Sequence, residues 1–264
     1  MPKKTTKESL RRLSATESPS YRLPALDSEF LLSDSMRGVR FLLEYAKAEE
    51  RLRIAGIRST IVVFGTARVR TQHPWYKQAR ALGRIVSERG GALDDSKTVR
   101  DNVIATGGGP GVMEAANRGA SDAGALSVGF NIRLPLEQRP NRYSTPELTF
   151  QFHYFAMRKM HLAMRAAGLV VFPGGFGTFD ELFEILTLRQ TGKVDRLPVV
   201  LFDKSYWDSV VDFDAMVEHN MILPADLKLF SFAEDAEEIW LKLLQGGLKV
   251  PSPKPGDAPK PRNV

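Results

Sequence analysis

The chain has 264 residues, 43% hydrophobic and 26% charged, with no cysteine and a formal net charge of +6. This length suits one sizeable globular domain, and the missing cysteine excludes a disulfide framework, a thiolate metal site and a Cys nucleophile together. The charge lies at the ends: residues 1–13 hold five Lys/Arg against one Glu and residues 249–264 hold four against one Asp, leaving −1 for the body between them. A near-neutral body argues against a nucleic-acid surface, which needs clustered cations. No apolar run approaches the roughly 18 residues of a membrane span. The N-terminus lacks the apolar core of a secretory signal, so a cytoplasmic protein without membrane or nucleic-acid partners is expected.

Taken in chain order, a basic tail over residues 1–30 is expected to be disordered, a single domain to occupy 31–247, and a Pro-rich disordered tail to follow at 248–264. Between the tails, short β-branched or aromatic runs alternate with longer stretches of helical period. That pattern predicts an α/β fold, a Rossmann-like parallel sheet with helices on both faces. A helix is expected at Ser35–Ile54, then a strand at Thr60–Phe64 and a helix at Trp75–Arg89. Next come a strand at Asn102–Thr106, a helix at Gly111–Ala123, a strand at Leu126–Asn131 and a short one at Leu148–Phe152. The remainder reads as helix Tyr154–Ala167, strand Leu169–Phe172, helix Thr178–Thr191, strand Pro198–Phe202, and helices Tyr206–His219 and Ala233–Leu244.

Ligands of open α/β sheets bind beyond the carboxyl ends of the strands, where this chain places two glycine-rich turns. In the first, TGGGPGVMEAAN, Gly107, Gly108 and Gly109 are either a wall that lets a ligand approach the backbone or a tight turn that lets helix and strand pack closely. The second, PGGFGTFDE, offers Gly174, Gly175, Gly177 and the Thr178 hydroxyl to a phosphate at a helix N-terminus. Equally, Thr178 and Glu181 have the spacing of a capping box. Neither turn carries the Walker or dinucleotide signature, which argues against an NTPase or a nicotinamide oxidoreductase.

The helix before the second turn, FHYFAMRKMHLAMRAAG, has two stripes. Met157, Met160 and Met164 read as core, while His161 and Arg165 read as a solvated basic face. Arg158 and Lys159, near the start of that helix, can present a cation to a helix-bound phosphate or a departing base. The four histidines show no metal-ligand spacing.

These residues resemble the LOG (Lonely Guy) family, in its longer bacterial branch. The resemblance rests on PGGFGTFDE, on MRK at Met157–Lys159, on GGGPGVMEAAN, on FGTAR at Phe64–Arg68 and on LPLEQRPNRY at Leu134–Tyr143, and it runs from about Leu32 to Leu244. It implies a Rossmann-like homodimer or larger homo-oligomer that needs no metal or organic cofactor. The implied activity is cleavage of the N-glycosidic bond of nucleoside 5′-monophosphates to free base and ribose 5-phosphate. The label lysine decarboxylase, often attached to such chains, finds little support, since Lys159 alone is a candidate Schiff-base lysine and the family uses that motif otherwise.

Carried onto this sequence, the resemblance makes Arg158 and Glu181 the catalytic pair. It assigns Gly174, Gly175, Gly177 and Thr178 to the 5′-phosphate, with Gly107, Gly108 and Gly109 as the adjoining wall and Met157 and Lys159 in the binding motif. Thr66 and Arg68 are further phosphate or ribose candidates. Glu137, Gln138 and Asn141 either close the base side or stabilise their loop. The first turn departs from the short cytokinin-activating pattern, with Val112-Met113-Glu114 after Gly111, so AMP or a related purine nucleotide is expected as substrate and a cytokinin nucleotide is the variant. A nucleotide sensor that binds without hydrolysis is the rival reading.

Overall fold

A computed structural model describes residues 14–93, 98–134, 139–194 and 197–251. The chain divides into two units, Met1–Glu44 and Tyr45–Val264. In the first unit, three 3-10 turns at Ala15–Glu17, Pro19–Tyr21 and Pro24–Leu26 lead to helix α1, Ser28–Leu32. The Asp27 carboxylate caps α1 by accepting from the Phe30 N–H, which satisfies one of the donors a helix start leaves open. Residues 14–30 of the expected tail are thus described here, and the rest of that tail and residues 252–264 lie outside the described residues.

Helix α2, Arg37–Ile54, leads into the second unit, which is one α/β domain. Its sheet has seven strands: β1 Thr60–Phe64, β2 Val103–Thr106, β3 Ser127–Ile132, β4 Thr149–Phe152, β5 Ala166–Val171, β6 Val199–Phe202 and β7 Ser231–Ala233. They run in the order β4-β3-β2-β1-β5-β6-β7, and every neighbouring pair is parallel. Burial on both faces explains why these strands read as continuous apolar runs; all five residues of β1 are buried.

Alternate β1 residues enter two cores. Val62 and Phe64 join Leu52 of α2, Leu162 of α5 (Phe155–Met164) and Leu182 of α6 (Phe176–Gln190) on one face. Ile61 and Val63 join α3 (Pro74–Arg89), α4 (Val112–Asp122) and α9 (Ala236–Gln245) on the other. The strand order reverses between β1 and β5, so the loops leaving those strands diverge and open a crevice at their carboxyl ends.

Several expectations are corrected by local chemistry. The helix expected over Tyr206–His219 is two, α7 Lys204–Val210 and α8 Phe213–Glu218. Val211 is extended, and the Asp212 carboxylate accepts from the Ala215 N–H to start the second helix. Strand β7 was not foreseen, because three residues are too few to show a period, and Asp235 starts α9 only after it. The helix expected to run to Ala167 stops at Met164, and β5 starts at Ala166.

The basic stripe on α5 is no solvated face. His161 is buried, with its ring stacked between those of Tyr45 and Phe130. Arg165 is clamped by both Glu49 oxygens at 2.7 and 2.5 Å and donates to the Ile57 carbonyl. The second half of α2 covers this side of α5, which a helical period cannot reveal. Burial lowers the His161 pKa, because imidazolium would lose its hydration. Of the methionine stripe, Met157 packs against the core but Met164 is exposed.

Candidate functional site

A cavity of about 880 Å³ fills the crevice between the β1 and β5 loops. Its wall includes Gly65, Thr66, Ala67 and Arg68 after β1, and Pro173 through Phe179 after β5. Thr66 joins the loops: its N–H donates to the Pro173 carbonyl at 2.8 Å, and its own carbonyl accepts from Val112 N–H at 3.0 Å. The candidates Thr66, Arg68, Gly174, Gly175, Gly177, Thr178 and Arg158 all lie on this wall.

At the second turn the helix starts earlier than expected. Gly175 is the N-cap of α6, Phe176 its first residue, and the Thr178 N–H donates to the Gly175 carbonyl at 2.8 Å. Thr178 therefore sits inside the first turn, and the Thr178–Glu181 capping box is absent. The N–H groups of Gly175, Phe176 and Gly177 donate to no acceptor among the described residues. Three adjacent open donors at a helix N-terminus form a site for an anion. Glycine at 174 is a packing requirement, since a Cβ there would lie 2.1 Å from Thr178 Oγ1. At 175 and 177 a Cβ would meet nothing within 4 Å, so no packing demands glycine there.

The first turn is built otherwise. Gly107, Gly108 and Gly109 are buried, and none of the three, expected as the adjoining wall, lies on the cavity wall. The Gly108 carbonyl accepts from Asn141 N–H at 2.9 Å and Asn131 Nδ2 at 3.3 Å, and the Gly109 carbonyl from Asn141 Nδ2 at 3.2 Å. Asn141 also donates to Asn117 Oδ1, which accepts from the Thr106 hydroxyl. For Asn141 this supports the loop-holding role. Gly107 alone approaches the catalytic candidates: a Cβ there would lie 3.7 Å from Arg158 Nη1.

Arg158 and Glu181 form a buried ion pair, with Nη2 donating to Oε1 at 2.7 Å and side chains 10% and 5% exposed. Arg158 reaches the cavity wall, whereas Glu181 stands behind it. Burial raises the Glu181 pKa to about 7, outweighing the opposing pull of Arg158 and then Lys159. The Arg158 Nε is buried without a hydrogen-bond partner among the described residues, so the guanidinium has donor capacity to spare.

Lys159 is not on the main cavity wall. It bridges Asp180 at 2.8 Å and Glu184 at 3.1 Å, tying α5 to α6. Burial works against its charge, but the two carboxylates prevail and raise its pKa. Met157 likewise lies off this wall. Glu137 and Gln138 lie outside the described residues.

The aromatic side of the cavity, where Phe64, Trp75, Phe176, Phe179 and Tyr206 line the wall with Met113 and Val210, leaves no signal in the sequence. Trp75 and Tyr206 belong to elements 130 residues apart, so no local pattern joins them; the exposed Phe176, 95% accessible, was hidden in the motif's variable position. Among the described residues no group of three or more His, Cys, Asp or Glu is placed to hold a metal ion, and no helix is long and apolar enough to cross a membrane.

A parallel sheet with a crevice at its switch point, and a helix start with three open N–H donors on the crevice wall, defines a Rossmann-like α/β protein. Residues 113–243 match the family model described as "Possible lysine decarboxylase". The probable cytokinin riboside 5′-monophosphate phosphoribohydrolase LOG6 of Arabidopsis thaliana is 27% identical over 165 residues, which cover 61% of this chain and 82% of that protein. The probable enzyme of the same name, LOG4, from Oryza sativa subsp. japonica is 28% identical over 190 residues, 70% of this chain and 76% of its own length. Among solved structures, the X-ray structure of TM1055, a structural genomics target, covers 71% of this chain and 99% of its own at a TM-score of 0.50 and 22% identity, a likeness of fold. The chain belongs to the LOG family.

Proposed function

We propose that this protein is a nucleoside 5′-monophosphate phosphoribohydrolase, which hydrolyses the N-glycosidic bond to give free base and ribose 5-phosphate. The observation that carries the reading is the buried Arg158–Glu181 pair next to a helix start with three open N–H donors. The named activity of the LOG relatives supports it. AMP or a related purine nucleotide is the proposed substrate, with a cytokinin nucleotide as the variant, and the working form is a homodimer or larger homo-oligomer.

The 5′-phosphate sits on the N–H groups of Gly175, Phe176 and Gly177, near the Thr178 hydroxyl, where the helix dipole favours its charge. Arg158 turns from Glu181 onto the ligand and exposes the carboxylate. Cleavage of the C1′–N bond leaves its electron pair on the base nitrogen and positive charge on the ribose ring, which the Glu181 carboxylate stabilises. Water adds to C1′ and passes a proton to Glu181; the base nitrogen then takes that proton, which restores the carboxylate. A carboxyl group with a pKa of about 7 both accepts and releases a proton readily at neutral pH. Arg158 stays charged throughout, so it holds the ligand and the departing base and donates no proton.

Decarboxylation of lysine through a Schiff base is disfavoured, because that chemistry needs a neutral amine and Asp180 and Glu184 hold Lys159 charged. The position of Glu181 behind Arg158 favours one second reading, a sensor that binds nucleotide without opening the pair. Incubation with a panel of nucleoside monophosphates, followed by chromatography for free base, tests the choice. Release of base with equimolar ribose 5-phosphate is expected. Tight binding by calorimetry with no base released at high enzyme concentration would favour the sensor.

A further inference from the structure

The second turn poses a physical problem. Two consecutive glycines, Gly174 and Gly175, flank a peptide unit whose plane can flip at little cost. In one orientation the Gly175 N–H faces an anion; in the other the Gly174 carbonyl does, and repels it. The Tyr206 hydroxyl donates to the Gly174 carbonyl at 2.5 Å. The peptide is trans, with C=O and N–H on opposite sides, so a carbonyl held on Tyr206 directs the Gly175 N–H away from Tyr206.

Tyr206 is itself fixed from three directions. Asp203, in the left-handed region at φ 66°, caps α7 and accepts from the Tyr206 N–H at 3.2 Å. The other Asp203 oxygen accepts from the Trp75 indole N–H at 2.9 Å, and the Trp75 ring meets that of Tyr206 edge-on at 6.0 Å. Behind it the wholly buried Trp207 makes a second edge contact at 5.3 Å.

We propose that Tyr206, tethered through Asp203 and Trp75, is the positioning residue of the anion site, holding the Gly174–Gly175 peptide with its N–H toward the ligand phosphate. The proposal rests on the reading of Gly174–Thr178 as a phosphate cradle. It assigns the β6–α7 connection a role in phosphate affinity, and it explains how a turn rich in glycine is preorganised before a ligand arrives.

The test is Tyr206→Phe, which keeps the ring and removes the hydroxyl. Calorimetry with ribose 5-phosphate and with AMP is expected to show both affinities weakened by about tenfold, the scale of one lost hydrogen bond that orients a charged ligand. The KM for AMP is expected to rise by the same factor with kcat changed less than about twofold, while inhibition by free adenine, which has no phosphate, stays as in wild type. A general structural defect would weaken adenine as well, and that result overturns the proposal. So does wild-type affinity of Tyr206→Phe for ribose 5-phosphate. Wild-type protein that binds neither ribose 5-phosphate nor AMP overturns the cradle reading itself, a distinct outcome. Should Tyr206→Phe fail to fold, Trp75→Phe removes the indole N–H that tethers Asp203 while keeping an aromatic ring on the wall; a loss of about threefold for both phosphate ligands with unchanged inhibition by adenine is expected, and unchanged phosphate affinity or an equal loss for adenine overturns the proposal.

Discussion

The two glycine turns look alike in sequence and occupy equivalent places after β2 and β5, yet only the glycines of the second line the cavity. The first has two carbonyls and one helix-start N–H held by the protein, Gly108 and Gly109 carbonyls by Asn131 and Asn141 and the Val112 N–H by Thr66, and Gly108 and Gly109 lie off the cavity wall. The second leaves three N–H groups open to a cavity. Their backing differs too. Neutral amides stand behind the first, the Asn117–Asn141 pair at 3.0 Å, and an ion pair stands behind the second. A glycine turn at a helix start is thus a frame, and the partners around it decide how it is held and whether its glycines line the cavity.

Substitutions can break that contrast in graded steps. The largest effect is expected at Gly111, the N-cap of the first helix, where φ is +71° and a Cβ would lie 2.3 Å from the Thr66 carbonyl oxygen. Gly111→Ala should cost about 3 kcal/mol or more from left-handed strain and backbone displacement, read as a lower urea midpoint. Next comes Glu181→Gln, expected to retain nucleotide binding while turnover falls at least about 100-fold, the scale of a lost catalytic acid/base. Turnover within tenfold of wild type would remove Glu181 from the chemistry.

The charged backing of the second turn also predicts a pH dependence that the first lacks. The folded-state pKa of Glu181, about 7, lies above the ordinary 4.5, so the folded state holds this proton more tightly than the unfolded chain does. Its contribution to stability is full below pH 4.5 and is lost as pH rises through about 7. The stability of wild type relative to Glu181→Gln should therefore fall by about 1–3 kcal/mol between pH 4.5 and 7.5, measured by urea unfolding at each pH. A flat difference would place the carboxylate in its ordinary ionisation range. The smallest expected effect is at Gly177, where a Cβ meets open space within α6. Gly177→Ala should change stability by only about 0.5 kcal/mol, in the stabilising direction, yet weaken ribose 5-phosphate several-fold by placing a methyl group among the donors.

Most of the sheet was legible because parallel strands buried on both faces must be apolar throughout, as TIVVF and LVVF are. The site was legible where its residues are close in sequence. Arg158 and Glu181, named from their motifs, meet at 2.7 Å. Legibility failed where function depends on what packs across the fold. His161 and Arg165 read as a wet face until α2 covered them, and Trp75 and Tyr206 converge on one wall from separate crossovers.

By itself, the sequence determined the alternation of strand and helix, two glycine turns at strand ends, and a cation and a carboxylate close to the second. Local preferences for φ, apolar period and helix starts suffice for that. Tertiary structure decided which turn lines the cavity and how each is held, because the partners of its peptide groups are remote in sequence: Thr66 and Asn141 at the first turn, Tyr206 at the second. It also decided the state of Glu181, whose proton affinity follows from burial, a property of the packed fold.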